Sequence, residues 1–518
     1  MLTAASGWAE PRPNVVFVMA DDWGRYASAY AALEPGGPSD LVNTPNFDRL
    51  ASQGVLFTRA YVNAPSCTPC RSSLLSGQYF WRTGLGAILQ GAVWDDEIPT
   101  YPLLLEKSGY EIGHTYKVWS PGQPADQPHG GRRASFQSAG RKFNQFSQHV
   151  SKSDNPQRAQ QELLQEVRAN FQSFLQQCPS EQPFCYWLGP TNCHRQWVSG
   201  SGQALWGLNP EDLRGKLPPF LPDVPEVRQD FCDYLGEVQA FDAGLGVILD
   251  ELEQRGLADN TLLVVSGDHG IPGVPRGKCN LYDLGTQVPL VIRWPGKCGT
   301  GLVVDDFVCL PDLAPTFLEA AGVAIPEAMT GRSLLSLLLS GQAGQVDPTR
   351  DHVLLGRERH VARARTDNLP YPQRAIRTAD FLYIRNFEPQ RYPMGLAPGW
   401  GLPPGELPPY DELRDNTFAA FADLDASPTK AWMLSQGEQP AVAAQLQLTL
   451  GLRPSDELFD IRRDPHQLHN LADDPAYEAV KRQLSTRLLG ELRASGDPRV
   501  VGDGKTFDSP PYTSLPTN

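Results

Sequence analysis

Residues 14–20 read Asn-Val-Val-Phe-Val-Met-Ala and run straight into Asp21-Asp22. An unbroken apolar, β-branched run has no polar face to give to water. It therefore predicts a central strand buried on both sides, which requires a mainly parallel sheet with helices over each face. The pattern recurs at 55–61, 184–188, 261–265 and 289–294, with helical segments at 159–176 and 227–255 between. Thr44-Pro45 offers an N-cap followed by proline at the first helical position, and Gly54 a stop, so a short helix is expected between them. Side chains that do chemistry in such sheets gather at the carboxyl ends of the strands. Asp21-Asp22, His194 and Asp268-His269 each follow one of these runs.

A chain of 518 residues exceeds one ordinary core. The expected division is a large domain to about residue 345 and a smaller α+β subdomain over 346–518. In the latter, 374–387 predicts antiparallel strands, and 457–472 leads to a closing amphipathic helix near 476–494. Residues 120–158 and 198–225 read as surface loops, and 388–410 as a Pro/Gly-rich excursion.

The net charge of −14 is spread along the chain, which disfavours nucleic acid and repels sulfated polymers at long range. An anionic substrate then needs positive charge concentrated in its pocket. No apolar run is long enough to span a bilayer. Nine irregularly spaced cysteines do not suggest a disulfide framework; Cys178 and Cys185 could pair locally, and free, buried thiols of a reducing compartment fit the sequence equally well. The first residues show neither a basic start nor an apolar core. Location is expected to be either cytoplasmic, or secreted or periplasmic with its signal removed.

Adjacent carboxylates after a buried strand are costly unless a cation neutralises them. Asp21, Asp22, Asp268 and His269 together suit a hard divalent ion such as calcium, the alternative being a pair of loop caps.

Residues 66–77 read Ser-Cys-Thr-Pro-Cys-Arg-Ser-Ser-Leu-Leu-Ser-Gly. Cys67-x-x-Cys70 has the spacing of a redox pair or half a zinc site, but no second such pair exists and the motif does not open a small domain. Cys67 with Pro69, Arg71 and the closing Leu-Ser-Gly resembles the signature of the type I, formylglycine-dependent sulfatases of the alkaline phosphatase superfamily. The resemblance spans nearly the whole chain. It implies that a formylglycine-generating enzyme converts Cys67, and that calcium is held by Asp21, Asp22, Asp268, His269 and residue 67. It implies also that Arg71 lies against the formylglycine hydroxyl, that Lys117 contacts nucleophile and sulfate, and that His194 and Lys278 stand by the leaving group.

The chain departs from that pattern at Cys70, where most members have Ser; at His269 Asn is usual, but some members carry His. It departs again at Trp119, which replaces the histidine of a Lys-x-His motif. His114 would lie on the opposite strand face, whereas His360 is freer to take that role. Cys193-His-Arg-Gln, Asn280-Leu-Tyr, Gly356-Arg-Glu-Arg-His-Val and Tyr371-Pro-Gln-Arg are similar to the branch that removes N-sulfate from glucosamine. On that likeness the substrate is a sulfated, glycosaminoglycan-type sugar. Trp119 is expected to stack on it, with Arg195, Arg357, Arg359, His360 and Arg374 reading its acidic groups. An exposed basic turn is the plainer alternative for the last four. Two other functions stay open: a phosphate or phosphonate ester hydrolase on the same fold, and a non-catalytic sulfated-sugar-binding relative.

Overall fold

The computed structural model describes residues 11–400 and 405–516. The reading of the first residues as lacking a secretion signal, and part of the 388–410 excursion, lie outside them.

Seven strands form the main sheet: β1 (Asn14–Ala20), β2 (Val55–Phe57), β3 (Glu111–Tyr116), β4 (Phe184–Gly189), β5 (Thr261–Gly267), β6 (Leu290–Arg293) and β7 (Leu302–Val304). Their order is β3-β4-β1-β5-β6-β2-β7. The first four are mutually parallel, and β6 alone opposes its neighbours. Alternation along a strand sends successive side chains to opposite faces, and here both faces are apolar. Val16, Val18, Tyr186, Leu188, Leu263 and Val265 join one buried cluster, with helices α3 (Pro156–Gln177) and α4 (Pro225–Gln254). Val15, Phe17, Met19, Trp187, Leu262 and Val264 join the other, under α2 (Cys67–Ser76). The short helix expected after Thr44 is α1 (Pro45–Gln53).

Two details differ from the sequence reading. Residues 55–61 are not one strand: Ala60–Tyr61 leaves the main sheet to pair with Val308–Cys309. The supposed loops carry short helices at Phe146–Val150 and Ser201–Trp206. The second is bracketed by Gly200 and Gly207 at positive φ, glycines that give a well-ended single turn the composition of a loop. All nine cysteines are free, so Cys178 and Cys185 do not pair.

A second, antiparallel sheet holds β8 (His352–Arg357), β9 (Gln373–Thr378), β10 (Phe381–Asn386) and β11 (Asp456–Asp460). Between β10 and β11 lie α5 (Tyr410–Asp415), α6 (Pro428–Ser435) and α7 (Pro440–Leu450). Leu413, Met433, Leu434 and Leu446 from these helices share the first cluster with Phe231 and Tyr234 of α4. This stretch therefore folds back onto the main sheet's helical layer. The closing helix α8 (Glu478–Ala494) buries Leu484, Leu488 and Leu492 against the second sheet. Among the described residues no helix is long and apolar enough to cross a membrane.

Candidate active site

Asp21 and Asp22 stand where β1 ends, and Asp268 and His269 where β5, its hydrogen-bonded neighbour, ends. Asp22 adopts φ 60°, a left-handed conformation that Asp tolerates better than most residues. Its main-chain N–H donates to Asp268 Oδ1 at 2.7 Å, and the Tyr234 hydroxyl of α4 donates to its carbonyl at 3.1 Å. These bonds fix the turn, so the Asp22 carboxylate can be aimed at the opening of α2.

Cys67 is the first residue of α2. Its Sγ lies 3.3 Å from His269 Nε2 and 3.8 Å from Asp22 Oδ1. Arg71, one helical turn on, projects along the same helix face. Its Nε donates to Asp268 Oδ2 at 2.9 Å, its Nη2 to Asp21 Oδ1 at 2.9 Å, and its Nη1 to the carbonyls of Lys117 and Val118. The fully buried guanidinium thus clamps both carboxylates and the end of β3 at once. Lys117, just past β3, donates to both Asp21 oxygens at 2.7 and 2.8 Å. Lys278 Nζ lies 3.0 Å from Asp22 Oδ2. His194 is the most exposed of the group; its Nε2 is 3.8 Å from Asp22 Oδ2, and its Nδ1 meets the Arg195 carbonyl at 2.7 Å.

Burial alone would push the Asp21 carboxyl up, but Lys117 and Arg71 overcome it and hold the group well below the usual range. Burial would likewise strip the proton from Lys278, yet Asp22 and Asp425 keep it well above an ordinary lysine. Asp268 is raised, chiefly by burial. Asp21, Asp22, Asp268 and Asp425 against Arg71, Lys117 and Lys278 leave one formal negative charge, so a bound dication would turn the cluster net positive and make it a site for an anion.

The donor set fits such an ion. Asp22, Cys67 and His269, and Asp21, Cys67 and Asp268, each offer ligand atoms within 4.8 Å of one another. The His269 Nδ1 faces the Gly270 carbonyl at 3.2 Å, which places a proton there and leaves the Nε2 lone pair turned toward Asp22. Carboxylate oxygens with one imidazole suit a hard divalent metal.

Residues 13–323 match the family model described as Sulfatase. The chain belongs to the sulfatase family. An "Ulvan-active sulfatase" of Formosa agariphila is 26% identical over 508 residues, covering 94% of this chain and 76% of the relative. The human "N-sulphoglucosamine sulphohydrolase" is 27% identical over 528 residues, covering 95% and 92%. A protein solved in work on glycosaminoglycan metabolism by Bacteroides thetaiotaomicron shares the fold at TM-score 0.66 and 20% identity, covering 94% and 98%. The sulfatase therefore has the alkaline phosphatase-like sheet between helices, with an antiparallel C-terminal sheet, that its sequence implies. Members of the family generally use formylglycine and a divalent metal.

The residues expected to read the sugar are placed differently. Trp119 of the sulfatase is completely buried, with its ring edge-on to Trp94 at 5.2 Å. It fills core and presents no stacking face, because Trp94 and Gly122 close over the indole. Arg374 is fully buried between Asp497 and Glu358. Arg357 is paired with Asp423 at 2.6 Å, and Arg359 donates to the carbonyls of Gln90 and Ser514. These three are neither free to bind a carboxylate nor an exposed basic turn. Their partners lie far along the chain, which is why the local sequence suggests surface. Arg195 is held by Asp230 at 2.7 Å over the Trp197 ring. His360 is buried, with Nδ1 2.7 Å from the hydroxyl of Ser66, the residue before Cys67. Burial pushes that imidazole down to about 3, so it stays neutral. His114 meets the Gly131 carbonyl, inside the fold.

Asp425 was not expected. Its Oδ2 lies 3.3 Å from Lys278 Nζ, putting one carboxylate of the folded-back stretch beside the cluster. The signal was faint: Asp423-Leu-Asp425 sets two acids in the otherwise apolar run Phe418–Ala426.

Proposed function

We propose that this sulfatase hydrolyses a sulfate ester or sulfamate on a glycosaminoglycan-type sugar, with formylglycine formed from Cys67 and a single calcium ion held by Asp21, Asp22, Asp268, His269 and residue 67. The observation that carries the reading is the state of Cys67. Burial, reinforced by Asp21, pushes its thiol well above the usual value against the pull of Lys117 and Lys278. Without a cation beside it, an unmodified thiol there is held in its neutral form and is a poor nucleophile, although its Sγ, 3.3 Å from His269 Nε2 and 3.8 Å from Asp22 Oδ1, has the position of an attacking group. Conversion by a formylglycine-generating enzyme removes the difficulty.

When present, the converted residue and the metal supply an oxygen nucleophile and the charge withdrawal that transfer of a sulfuryl group needs. The chain's own residues do the rest. Lys117 and Lys278 carry positive charge toward the anion, held protonated by Asp21, Asp22 and Asp425. Arg71 keeps Asp21 and Asp268 in place. His194 has its Nδ1 anchored and its Nε2 turned toward Asp22 at the edge of the cluster, where it hands a proton to the leaving oxygen or nitrogen, with Lys278 on the same carboxylate. No imidazole reaches the cluster from the 117–119 segment; the nearest one not assigned to the metal or to the leaving group is His360, hydrogen-bonded to the Ser66 hydroxyl next to residue 67.

N-sulfated glucosamine at a chain end is the sharpest form of the substrate, consistent with the human relative's name. Mass spectrometry of the peptide containing residue 67 tests the mechanism: sulfur is lost from that residue in active protein. A fully active preparation with an intact thiol at 67 refutes it. Sulfate release from N-sulfated against 6-O-sulfated glucosamine then decides the linkage.

A further inference from the structure

The 194–197 loop separates two clefts of opposite character. One, of about 560 Å³, is lined by four acids, Glu226, Asp230, Asp233 and Asp415, and by Arg195 and Arg414, each already paired with one of them. The other, of about 500 Å³, lies on the far side of His194 and has no acidic residue in its wall. Arg141, Lys142, Asn144, Gln148 and His149 form much of it. That is an unusual environment in a chain of net charge −14.

We propose that this second cleft is an anion-binding subsite, which takes the carboxylate or sulfate of the sugar next to the one bearing the scissile group. The inference rests on the sulfated-sugar reading above and deepens it. Four observations carry it. First, Arg141 and Lys142 are exposed, and among the described residues neither side chain has a carboxylate partner. Second, Lys142 and His149 also border an adjoining cleft with Glu162 and Glu166, and both acids are already engaged. Glu166 accepts from the Lys142 and Phe143 amides and the Tyr116 hydroxyl, and Glu162 from Arg158. Third, the wall has groups suited to a sugar. Gln148 donates to the Gln196 carbonyl while its own Oε1 is buried with no donor, and Asn144 Oδ1 accepts from the Thr191 amide, leaving its NH2 to be used. An unpaired buried acceptor is costly, and a turn of the Gln148 amide toward the cleft would let a sugar hydroxyl satisfy it. Fourth, His194 lines this cleft and also approaches Asp22 of the reacting centre at 3.8 Å, so a ligand in the cleft adjoins that centre. Arg195 adds no free charge, since Asp230 neutralises it.

The test compares three substrates with the same sulfated terminal sugar: the monosaccharide, its disaccharide with a neutral neighbour, and its disaccharide with a uronic acid neighbour. A fourth, with a sulfated neutral neighbour, separates carboxylate from sulfate as the recognised group. In the wild type, kcat/KM favours the charged neighbours over the neutral one by about threefold to tenfold, as two partly exposed ion pairs allow, and added salt erodes the preference. Arg141→Gln with Lys142→Gln abolishes that preference and leaves monosaccharide turnover within about twofold. Equal turnover of charged and neutral disaccharides by the wild type overturns the proposal. So does a preference that survives both substitutions, or an equal loss on the monosaccharide. Because failure of turnover would instead count against the proposed function, equilibrium binding of the uronate disaccharide is measured in parallel on Cys67→Ala protein. Unchanged affinity on adding the Arg141 and Lys142 substitutions there rejects the subsite whatever the reaction proves to be.

Discussion

Asp425→Asn removes one charge and almost no volume, and so isolates what the folded-back stretch gives to the site. Asp425 Oδ2 and Lys278 Nζ are 3.3 Å apart, with side chains 17% and 4% exposed. At an effective dielectric of about 20, such a pair attracts by about 5 kcal/mol before desolvation is counted. Most of this is offset, because Lys278 keeps Asp22 at 3.0 Å and the amide still accepts a hydrogen bond. A net loss of about 1–2 kcal/mol in the transition state remains, or about tenfold in kcat/KM. The pH profile gives a second readout. Burial lowers the Lys278 pKa, while Asp22 and Asp425 more than reverse it. For a group raised in this way, the stabilisation is complete below the ordinary lysine value and is lost as pH rises through the folded-state value. Asp425→Asn brings that value down, so the alkaline loss of activity begins at lower pH than in the wild type. Steady-state kinetics across pH on a small sulfated sugar reads both effects. If kcat/KM and the alkaline limb are unchanged, Asp425 neither holds nor tunes Lys278.

Arg374→Ala leaves Asp497 and Glu358 buried without their partner and is expected to destabilise by about 3–5 kcal/mol, with little change in KM of the surviving enzyme. Denaturant melts and kinetics separate this from a substrate-binding role, which would show the reverse. Exhaustive chelation should abolish turnover and lower Tm, with calcium restoring both, because an ion that binds only the folded site stabilises by about 2.7 kcal/mol at a hundredfold excess over Kd. No Tm response to calcium would reject the proposed ligands. Matched aryl sulfate and aryl phosphate assays should favour the sulfate; faster phosphate release would move the chain to the phosphohydrolase alternative.

The sheet was legible because its strands are apolar on both faces, as at 14–20 and 261–265, and nothing but a covered parallel sheet accommodates such runs. The cluster was legible for a related reason. Asp21, Asp22, Asp268 and His269 interrupt apolar sequence at strand ends, where ionisable groups are conspicuous. What escaped was pairing through space. Arg357 meets Asp423, Arg374 meets Asp497 and Lys278 meets Asp425 across 66 residues or more, and no local spacing announces those contacts. Trp119 escaped for the opposite reason: a lone indole beside Lys117 looks like a platform until Trp94 and Gly122 are seen to enclose it.

The depth of Cys67 imposes an order of events on the making of this protein. In the finished fold the residue is about 3% exposed, under a lattice of ion pairs reaching from Asp21 to Asp425. A separate catalyst can meet it only while that lattice is open. About 350 residues separate position 67 from position 425. At synthesis rates of about 5–20 residues per second, the last carboxylate emerges roughly 20–70 s after the cysteine. If Cys67 is converted as proposed, maturation is a race between modification and closure, and slower translation should raise the converted fraction measured by mass spectrometry of the peptide.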